Sequence, residues 1–190
     1  MIEINQHIKS ISFRALQRLF ILLLILLAVD QVDAQYSRTR EFNIKAVFLY
    51  NFSQFVEWPE SAFETSTSPF VIGIVGDDPF GSVIDETVSG EKVKNHPIIV
   101  QRFSTVKEVA NCHMIFLSGP QAANYQKNVS EQKIKYMLTV SDVAGFANTG
   151  GMIRFMMQDN KIKLQINPGV ARSAELSISS KLLRLAEIVE

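Results

Sequence analysis

The stretch Lys45-Ala-Val-Phe-Leu-Tyr-Asn-Phe-Ser-Gln-Phe-Val-Glu-Trp-Pro59 opens the part of the chain that is expected to fold. Its apolar residues recur at steps of three and four, which is the period of a helix with one buried face. The positions on this stripe are Ala46, Leu49, Phe52 or Ser53, and Val56. A residue that precedes a proline is pushed out of the helical region, so the helix is predicted to end at Pro59.

Other apolar side chains of the stretch lie outside this stripe and extend the apolar surface around most of the helix. They are Phe48, Tyr50 and Phe55. A helix of this kind is either buried on nearly all sides, or it covers a sheet with one side and meets a partner with the other. The sequence alone leaves both interpretations open: a core helix, or a helix with one flank that forms an interface.

The first 34 residues have the parts of a secretory signal peptide. The basic residues Lys9, Arg14 and Arg18 precede an apolar run from Leu19 to Val29, and Val32-Asp33-Ala34 offers small residues to a signal peptidase. The run is shorter than the ~20 residues that a membrane-spanning helix needs. We therefore expect cleavage after Ala34 and a destination outside the cytoplasm. An uncleaved membrane anchor is the alternative.

Charge and cysteine usage narrow the class of function. Residues 1–34 carry three basic and three acidic residues, so residues 35–190 keep 16 of each and are formally neutral. Nucleic acid requires a basic excess, so it is not expected as a partner. Residues 35–190 have the length of one domain. Cys112 is the only cysteine, so no intramolecular disulfide can form, and its apolar setting favours a small core residue.

Short apolar runs alternate with predicted helices after Pro69. Strands are predicted at Phe70–Val75, Pro97–Gln101, Met114–Leu117 and Tyr136–Val140. Helices are predicted near Ser82–Val88, Thr105–Ala110, Gln121–Asn128 and, at the C-terminus, Ser177–Val189, where Ser177, Ser179 and Ser180 are candidate N-caps. Strands that are apolar throughout and alternate with helices form parallel sheets that are buried on both faces.

Two later strands are predicted to form an antiparallel pair. Met152–Met157 and Lys161–Ile166 flank Asp159 and Asn160, which are turn residues. The predicted fold class is therefore α/β: a three-layer sandwich with a mostly parallel sheet and an antiparallel edge hairpin.

Polar and small residues follow several of these strands, at the carboxyl edge where α/β folds bind ligands. We predict as ligand-binding residues Asp77, Asp78, Ser141, Asp142, Gly150 and Gly151. The alternative for Asp77 and Asp78 is an Asx turn, which Asp-Asp-Pro favours by itself. The alternative for Gly145–Gly151 is a close turn, and not a set of backbone N–H groups that holds an anion.

No cluster of catalytic or metal-binding residues stands out. Residues 35–190 hold only His96 and His113, and neither has a partner at metal-ligand spacing. Cys112 and His113 are neighbours that point to opposite faces of a strand, so they do not form a catalytic dyad. Composition alone leaves a Ser/His/Asp triad open, but there is no Gly-x-Ser-x-Gly elbow. We expect no catalytic residues, no metal and no cofactor.

The motifs taken together resemble the YfiR-like family of periplasmic regulators, in order and over nearly all of residues 35–190. The first is Lys45–Pro59. The others are Ile72-Gly-Ile-Val-Gly-Asp-Asp-Pro-Phe-Gly81, Cys112-His-Met-Ile-Phe-Leu117, Leu138-Thr-Val-Ser-Asp142 with Gly145-Phe146, Gly150-Gly-Met-Ile-Arg-Phe155, and Ile166-Asn167 with Ile178-Ser-Ser-Lys-Leu-Leu183.

The resemblance implies a regulatory protein that is not an enzyme and has a compact α/β fold. The best-known members of this family are periplasmic dimers that repress an inner-membrane diguanylate cyclase by binding its periplasmic domain. An outer-membrane lipoprotein sequesters the repressor, which raises cyclic di-GMP and favours biofilm. Aromatic surface mediates such contacts, and we expect Tyr50, Phe55 and Trp58 to bind the partner.

The chain departs from the family at its cysteines. The family's cysteine before the third strand corresponds to Cys112, but its partner and a second cysteine pair are missing. The resemblance therefore gives no support to redox control through intramolecular disulfides. The alternative function is a periplasmic module that binds a small ligand, a nucleotide or an amino acid, at the carboxyl edge.

Overall fold

The computed structural model describes residues 39–129 and 135–190. Residues 42–190 form one compact unit, and the other unit, residues 1–41, is described only at residues 39–41. The predicted signal peptide at residues 1–34 lies outside the described residues. Within the described ranges, no helix combines the length and the hydropathy that a membrane crossing requires.

In the described part of the chain, eight strands form one sheet in the order β10-β8-β7-β6-β5-β2-β4-β3. Its strands are β2 (Phe70–Val75), β3 (Lys92–Val93), β4 (His96–Phe103), β5 (Met114–Leu117), β6 (Leu138–Ser141), β7 (Ile153–Gln158), β8 (Lys161–Ile166) and β10 (Ala186–Ile188). The five central strands, from β7 to β4, pair in parallel, whereas β7 with β8 and β3 with β4 are antiparallel. The predicted α/β class with a mostly parallel sheet is confirmed.

Helices cover both faces of this sheet. They are α1 (residues 39–55), α2 (Ser82–Val88), α3 (Gly119–Val129), α4 (Pro168–Ser173) and α5 (Ser180–Leu183). Phe116 and Leu117 are neighbours on β5 but belong to different apolar clusters, because successive strand residues face opposite sides. Phe116 lies in the cluster of α1 and α2, and Leu117 lies in the cluster of α3. The molecule therefore has the three predicted layers.

The predicted hairpin is also confirmed. Its turn consists of Asp159 and Asn160, whose φ angles of 52° and 56° are those of a type I′ turn. The pairing sets Arg154 opposite Gln165 and Phe155 opposite Leu164. The short strand β10 continues the sheet beyond β8, with which it pairs in parallel.

The core face of α1 is the one that the sequence predicts. Ala46, Leu49 and Phe52 are 0% exposed and Val56 is 3% exposed, and Ser53 is buried beside them. The predicted end of the helix at Pro59 is wrong, because the helix stops at residue 55. The next two residues form β1 (Val56–Glu57), which pairs with β9 (Ser177–Ile178). Their backbone groups therefore form hydrogen bonds to another strand and not within the helix.

The predicted C-terminal helix over Ser177–Val189 is also wrong. Ser179 does cap a helix, since its side chain accepts a hydrogen bond from the Leu182 N–H, but α5 ends at Leu183. Residues 186–188 then add β10 to the exposed edge of β8. An open strand edge offers a full row of hydrogen-bond partners, and this tertiary pairing outweighs the helical pattern of the local sequence.

Candidate partner-binding surface and the two edges of the sheet

The outer flank of α1 carries exposed apolar side chains. Ile44 is 41% exposed, Val47 is 48% exposed and Phe55 is 38% exposed. Positions 44, 47 and 55 fall on one stripe of a helix, with the half-buried Asn51 between them. We call this stripe, Ile44, Val47 and Phe55, the outer flank. Val47 and Phe55 lie within the motif Lys45–Pro59, and Ile44 directly precedes it. Of these three residues, only Phe55 is predicted from the sequence to bind a partner.

The flank of α1 that adjoins the outer flank, which we call the tied flank, is bonded to the rest of the chain through Tyr50 and Gln54. The Tyr50 hydroxyl donates a hydrogen bond to the Glu91 carboxylate at 2.7 Å, and Gln54 Nε2 donates to the Lys92 carbonyl at 3.1 Å. The hydrogen bond with Glu91 raises the pKa of Tyr50, so the phenol stays protonated. Tyr50 therefore serves a contact within this chain.

Trp58 follows the helix and is buried, with 5% of its surface exposed. Its Nε1–H donates to two carbonyl oxygens, those of His113 at 3.1 Å and Tyr136 at 2.9 Å. The ring packs edge-on against Phe70 at 4.8 Å. The three residues predicted to bind a partner thus have three different surroundings, and only Phe55 belongs to the outer flank.

At the carboxyl edge of the sheet, the loop after β2 is closed by an ion-pair network. Asp78 Oδ1 accepts the N–H groups of Phe80 and Gly81, and its Oδ2 accepts Arg102 Nε at 2.7 Å. Arg102 also donates to Asp85 Oδ2 at 2.6 Å, and this bond lowers the pKa of Asp85. Asp78 is therefore the centre of an Asx turn, the alternative that the Asp-Asp-Pro sequence favours, while Asp77 is exposed.

The residues after β6 are likewise engaged within the chain. Lys45 is buried, with 2% of its side chain exposed, and its Nζ donates to Asp142 Oδ2 at 2.7 Å. The same ammonium group lies 4.4 Å from the centre of the Phe42 ring, a cation–π distance. Ser141 Oγ donates to the Leu117 carbonyl and accepts the Val143 N–H. Lys45, the first residue of the motif Lys45–Pro59, is thus the counter-ion of Asp142.

Gly150 and Gly151 have steric roles. Gly150 has a φ of 94°, which favours glycine, and it ends the 3-10 turn Phe146–Thr149. A Cβ at Gly151 would collide with the ring of Phe146. The structure brings Asp142 and Ser141 together and places Asp78 in a separate network. Whether any of the six predicted residues binds a ligand stays a prediction.

The amino edge of the sheet holds a cavity of about 750 Å³. Val71, Ile99, Cys112, His113 and Tyr136 are among its lining residues. Burial raises the pKa of the Cys112 thiol to about 12, so the thiol is protonated and a poor nucleophile. Sequence reasoning missed this cavity, because its walls come from segments far apart in the chain and no single motif marks it.

Within the described ranges, no three side chains of His, Cys, Asp or Glu come together as a metal site. His113 is bound on both nitrogens: Nδ1 accepts the Val71 N–H at 3.1 Å and Nε2–H donates to the Ala62 carbonyl at 3.1 Å. Burial lowers its pKa, and a charge on His96 adds to this effect. His113 is therefore a neutral, structural imidazole.

Comparison with known proteins connects this fold to one family. The family described as YfiR/HmsC-like matches residues 42–187, from the start of the compact unit to the last strand. No curated protein matches the chain. Because the match covers most of the sequence, the chain belongs to the YfiR/HmsC-like family.

Proposed function

We propose that this protein is a non-enzymatic periplasmic regulator. It binds the periplasmic domain of an inner-membrane diguanylate cyclase, holds the cyclase inactive, and acts as a homodimer that an outer-membrane lipoprotein can sequester. Family membership over residues 42–187 supports a role in cyclic di-GMP signalling. The export signal predicted at residues 1–34 supports the periplasmic location.

One observation carries the choice of binding surface. The outer flank presents three large apolar side chains on one stripe of a helix whose inner face is fully buried. Apolar side chains at helical spacing are what a partner helix or groove recognises. Phe55 adds an aromatic ring, the residue type that is enriched in the centre of interfaces.

The mechanism is a shift of population. A regulator that binds the inactive arrangement of a receptor more tightly than the active one stabilises the inactive arrangement by that difference in affinity. A second protein that binds the regulator then lowers its free concentration and releases the receptor. This mechanism needs no covalent chemistry. It agrees with the finding that most carboxylates at the carboxyl edge are engaged in internal ion pairs.

The cellular concentration of cyclic di-GMP tests the proposal. A strain without this protein should contain more cyclic di-GMP, and the wild-type protein should reduce it again. We expect Phe55→Asp to fail to reduce it, since a charge on the outer flank opposes apolar contact. Met157→Asp is the control, because Met157 on β7 is 50% exposed, at least as much as Phe55, and belongs neither to the outer flank nor to the cavity lining.

Two results would contradict the proposal. One is an unchanged cyclic di-GMP level in the strain that lacks the protein. The other is full repression by a folded, exported Phe55→Asp variant, which would remove the outer flank from the interface.

The cavity at the amino edge favours a second candidate function, the binding of a small ligand such as a nucleotide or an amino acid. Its volume of about 750 Å³ is in the range of small-molecule sites. A ligand that binds only the folded protein raises the melting temperature. Thermal shift against a panel of both classes tests this, with Val109→Trp as a variant that narrows the cavity. A flat response to the whole panel argues against it.

A further inference from the structure

The segment that joins β1 to β2 crosses the amino edge of the sheet. We call residues 58–69 the strap. It contains the 3-10 turn Glu60–Ala62 and the ring of Phe63, and it begins with the buried Trp58. The strap is held at this edge by two histidines, which come from the start of β4 and from the residue before β5.

The rings form a continuous stack. Phe63 lies between His96, at a centroid distance of 3.6 Å and an angle of 11°, and His113, at 4.5 Å and 22°. His113 stacks in turn on Phe70 at 5.0 Å. Both imidazoles are 7% exposed. The strap is therefore clamped through one aromatic ring between two titratable side chains.

The two histidines differ in their hydrogen bonds. His113 needs Nδ1 as an acceptor for the Val71 N–H and Nε2 as a donor to the Ala62 carbonyl, so it can be held in this way only when neutral. His96 donates Nδ1–H to the Ser68 carbonyl at 2.7 Å, a bond that a protonated imidazole keeps. A proton on His113 Nδ1 would point at the Val71 N–H and replace an attraction with a repulsion.

We propose that the His96–Phe63–His113 stack is an acid-sensitive latch: protonation of His113 Nδ1 drives this ring away from the Val71 N–H and out of the stack, so that its contacts with Ala62 and Phe63 are lost and the strap leaves the amino edge while the sheet remains folded. The proton is taken from solvent and no covalent bond other than N–H forms. Charge on both histidines is disfavoured, since only Phe63 separates them.

The direction of the effect follows from burial. The pKa of His113 is lowered in the folded state, so its neutral form stabilises the latch above the ordinary pKa of histidine, and this stabilisation is lost as the pH falls through the folded-state pKa. Other titratable groups at this edge are Glu60 and Glu64 on the strap, Lys94 before β4, Cys112 beside His113, and Lys135 and Tyr136 before β6. Lys135 is paired with Glu175 at 2.9 Å, and the Cys112 thiol is neutral.

Opening of the latch also affects the C-terminal end of α1. Trp58 bonds to the His113 carbonyl, and the Phe55 carbonyl accepts the Ser179 N–H beside the β1–β9 pair. When the strap is released, the β1–β9 pair loses the anchor that Trp58 provides directly after β1. On the basis of the proposed function, acid then weakens partner binding through the outer flank. The latch itself is tested without a partner, so the two proposals can fail separately.

Trp58 is the only tryptophan in the chain and reports on the strap directly. We expect its emission to shift to longer wavelength as the pH falls below about 6.5, while far-UV circular dichroism keeps the sheet signal. His113→Gln keeps a donor and an acceptor but cannot titrate, and should abolish the shift. His96→Gln removes the neighbouring charge and should move the shift to higher pH.

Hydrogen exchange of the wild-type protein gives a second readout if His113→Gln does not fold. After correction for intrinsic rates, acid should increase exchange in strap peptides and leave β5 protected. Simultaneous loss of the tryptophan and circular dichroism signals would overturn the latch, because acid would then unfold the whole domain. An unaltered shift in His113→Gln would overturn it as well.

Discussion

Two flanks of the same helix, α1, differ in residue type and in surroundings. On one flank, Tyr50 bonds to Glu91, directly before β3, and Gln54 bonds to Lys92, the first residue of β3. On the other, Ile44, Val47 and Phe55 keep 38–48% of their surface exposed. Tyr50 and Phe55 are five residues apart, which is a rotation of about 140° on a helix. A helix that is apolar nearly all round thus has one side in the core, one side bonded to the rest of the chain and one side exposed to solvent.

The largest expected effect is a difference in stability between two phenylalanine substitutions on α1, one on the core face and one on the outer flank. Phe52 is 0% exposed and packs on Phe155 at 5.7 Å, so Phe52→Ala should destabilise the domain by about 3–5 kcal/mol. Phe55→Ala should change the free energy of unfolding by no more than about 0.5 kcal/mol. Urea denaturation of both variants measures the difference. Equal losses would mean that Phe55 belongs to the core.

A smaller effect is expected at Lys45 of α1, which pairs with Asp142. Lys45→Met should cost about 1–3 kcal/mol, because the Asp142 carboxylate loses its cation. The cost stays below that of a fully buried pair, since 31% of the Asp142 side chain is exposed. The double variant Lys45→Met with Asp142→Asn should recover part of the loss. If the double variant is no more stable than Lys45→Met, the ion pair is not what Lys45 contributes.

The smallest effect on stability is expected on the tied flank. Tyr50→Phe removes one partly exposed hydrogen bond to Glu91 and should cost at most about 1 kcal/mol in urea denaturation. The pKa of Tyr50 is raised, so its contribution is present below the ordinary tyrosine pKa and is lost as the pH rises through the folded-state pKa. A wild-type advantage over Tyr50→Phe that persists at strongly alkaline pH would contradict this assignment.

The strands and the core face of α1 could be predicted because each depends on a local pattern. The apolar runs Phe70–Val75 and Met114–Leu117 and the alternating segment Lys161–Ile166 are strands with the predicted bounds. The end of α1 and the C-terminal helix could not, since residues 56–57 and 186–188 take their conformation from strands that are distant in sequence. Tertiary pairing overrides local preference at such positions.

The surroundings of the candidate sites were harder to predict for the same reason. A carboxylate at the carboxyl edge looks like a ligand until its counter-ion is known, and Arg102 and Lys45 come from other elements. The strap is the converse case. His96 and His113 carry no metal or catalytic spacing, yet Phe63 brings them to the two faces of one ring.

Photo-cross-linking in cells tests the outer flank most directly. A photoreactive phenylalanine analogue at position 55 should cross-link to the periplasmic domain of a membrane diguanylate cyclase, and the same analogue at position 99, which is equally exposed, should not. Cross-linking at position 99 alone, or no cyclase captured from position 55 by an exported and folded protein, would contradict the assignment of the outer flank of α1 as the partner-binding surface.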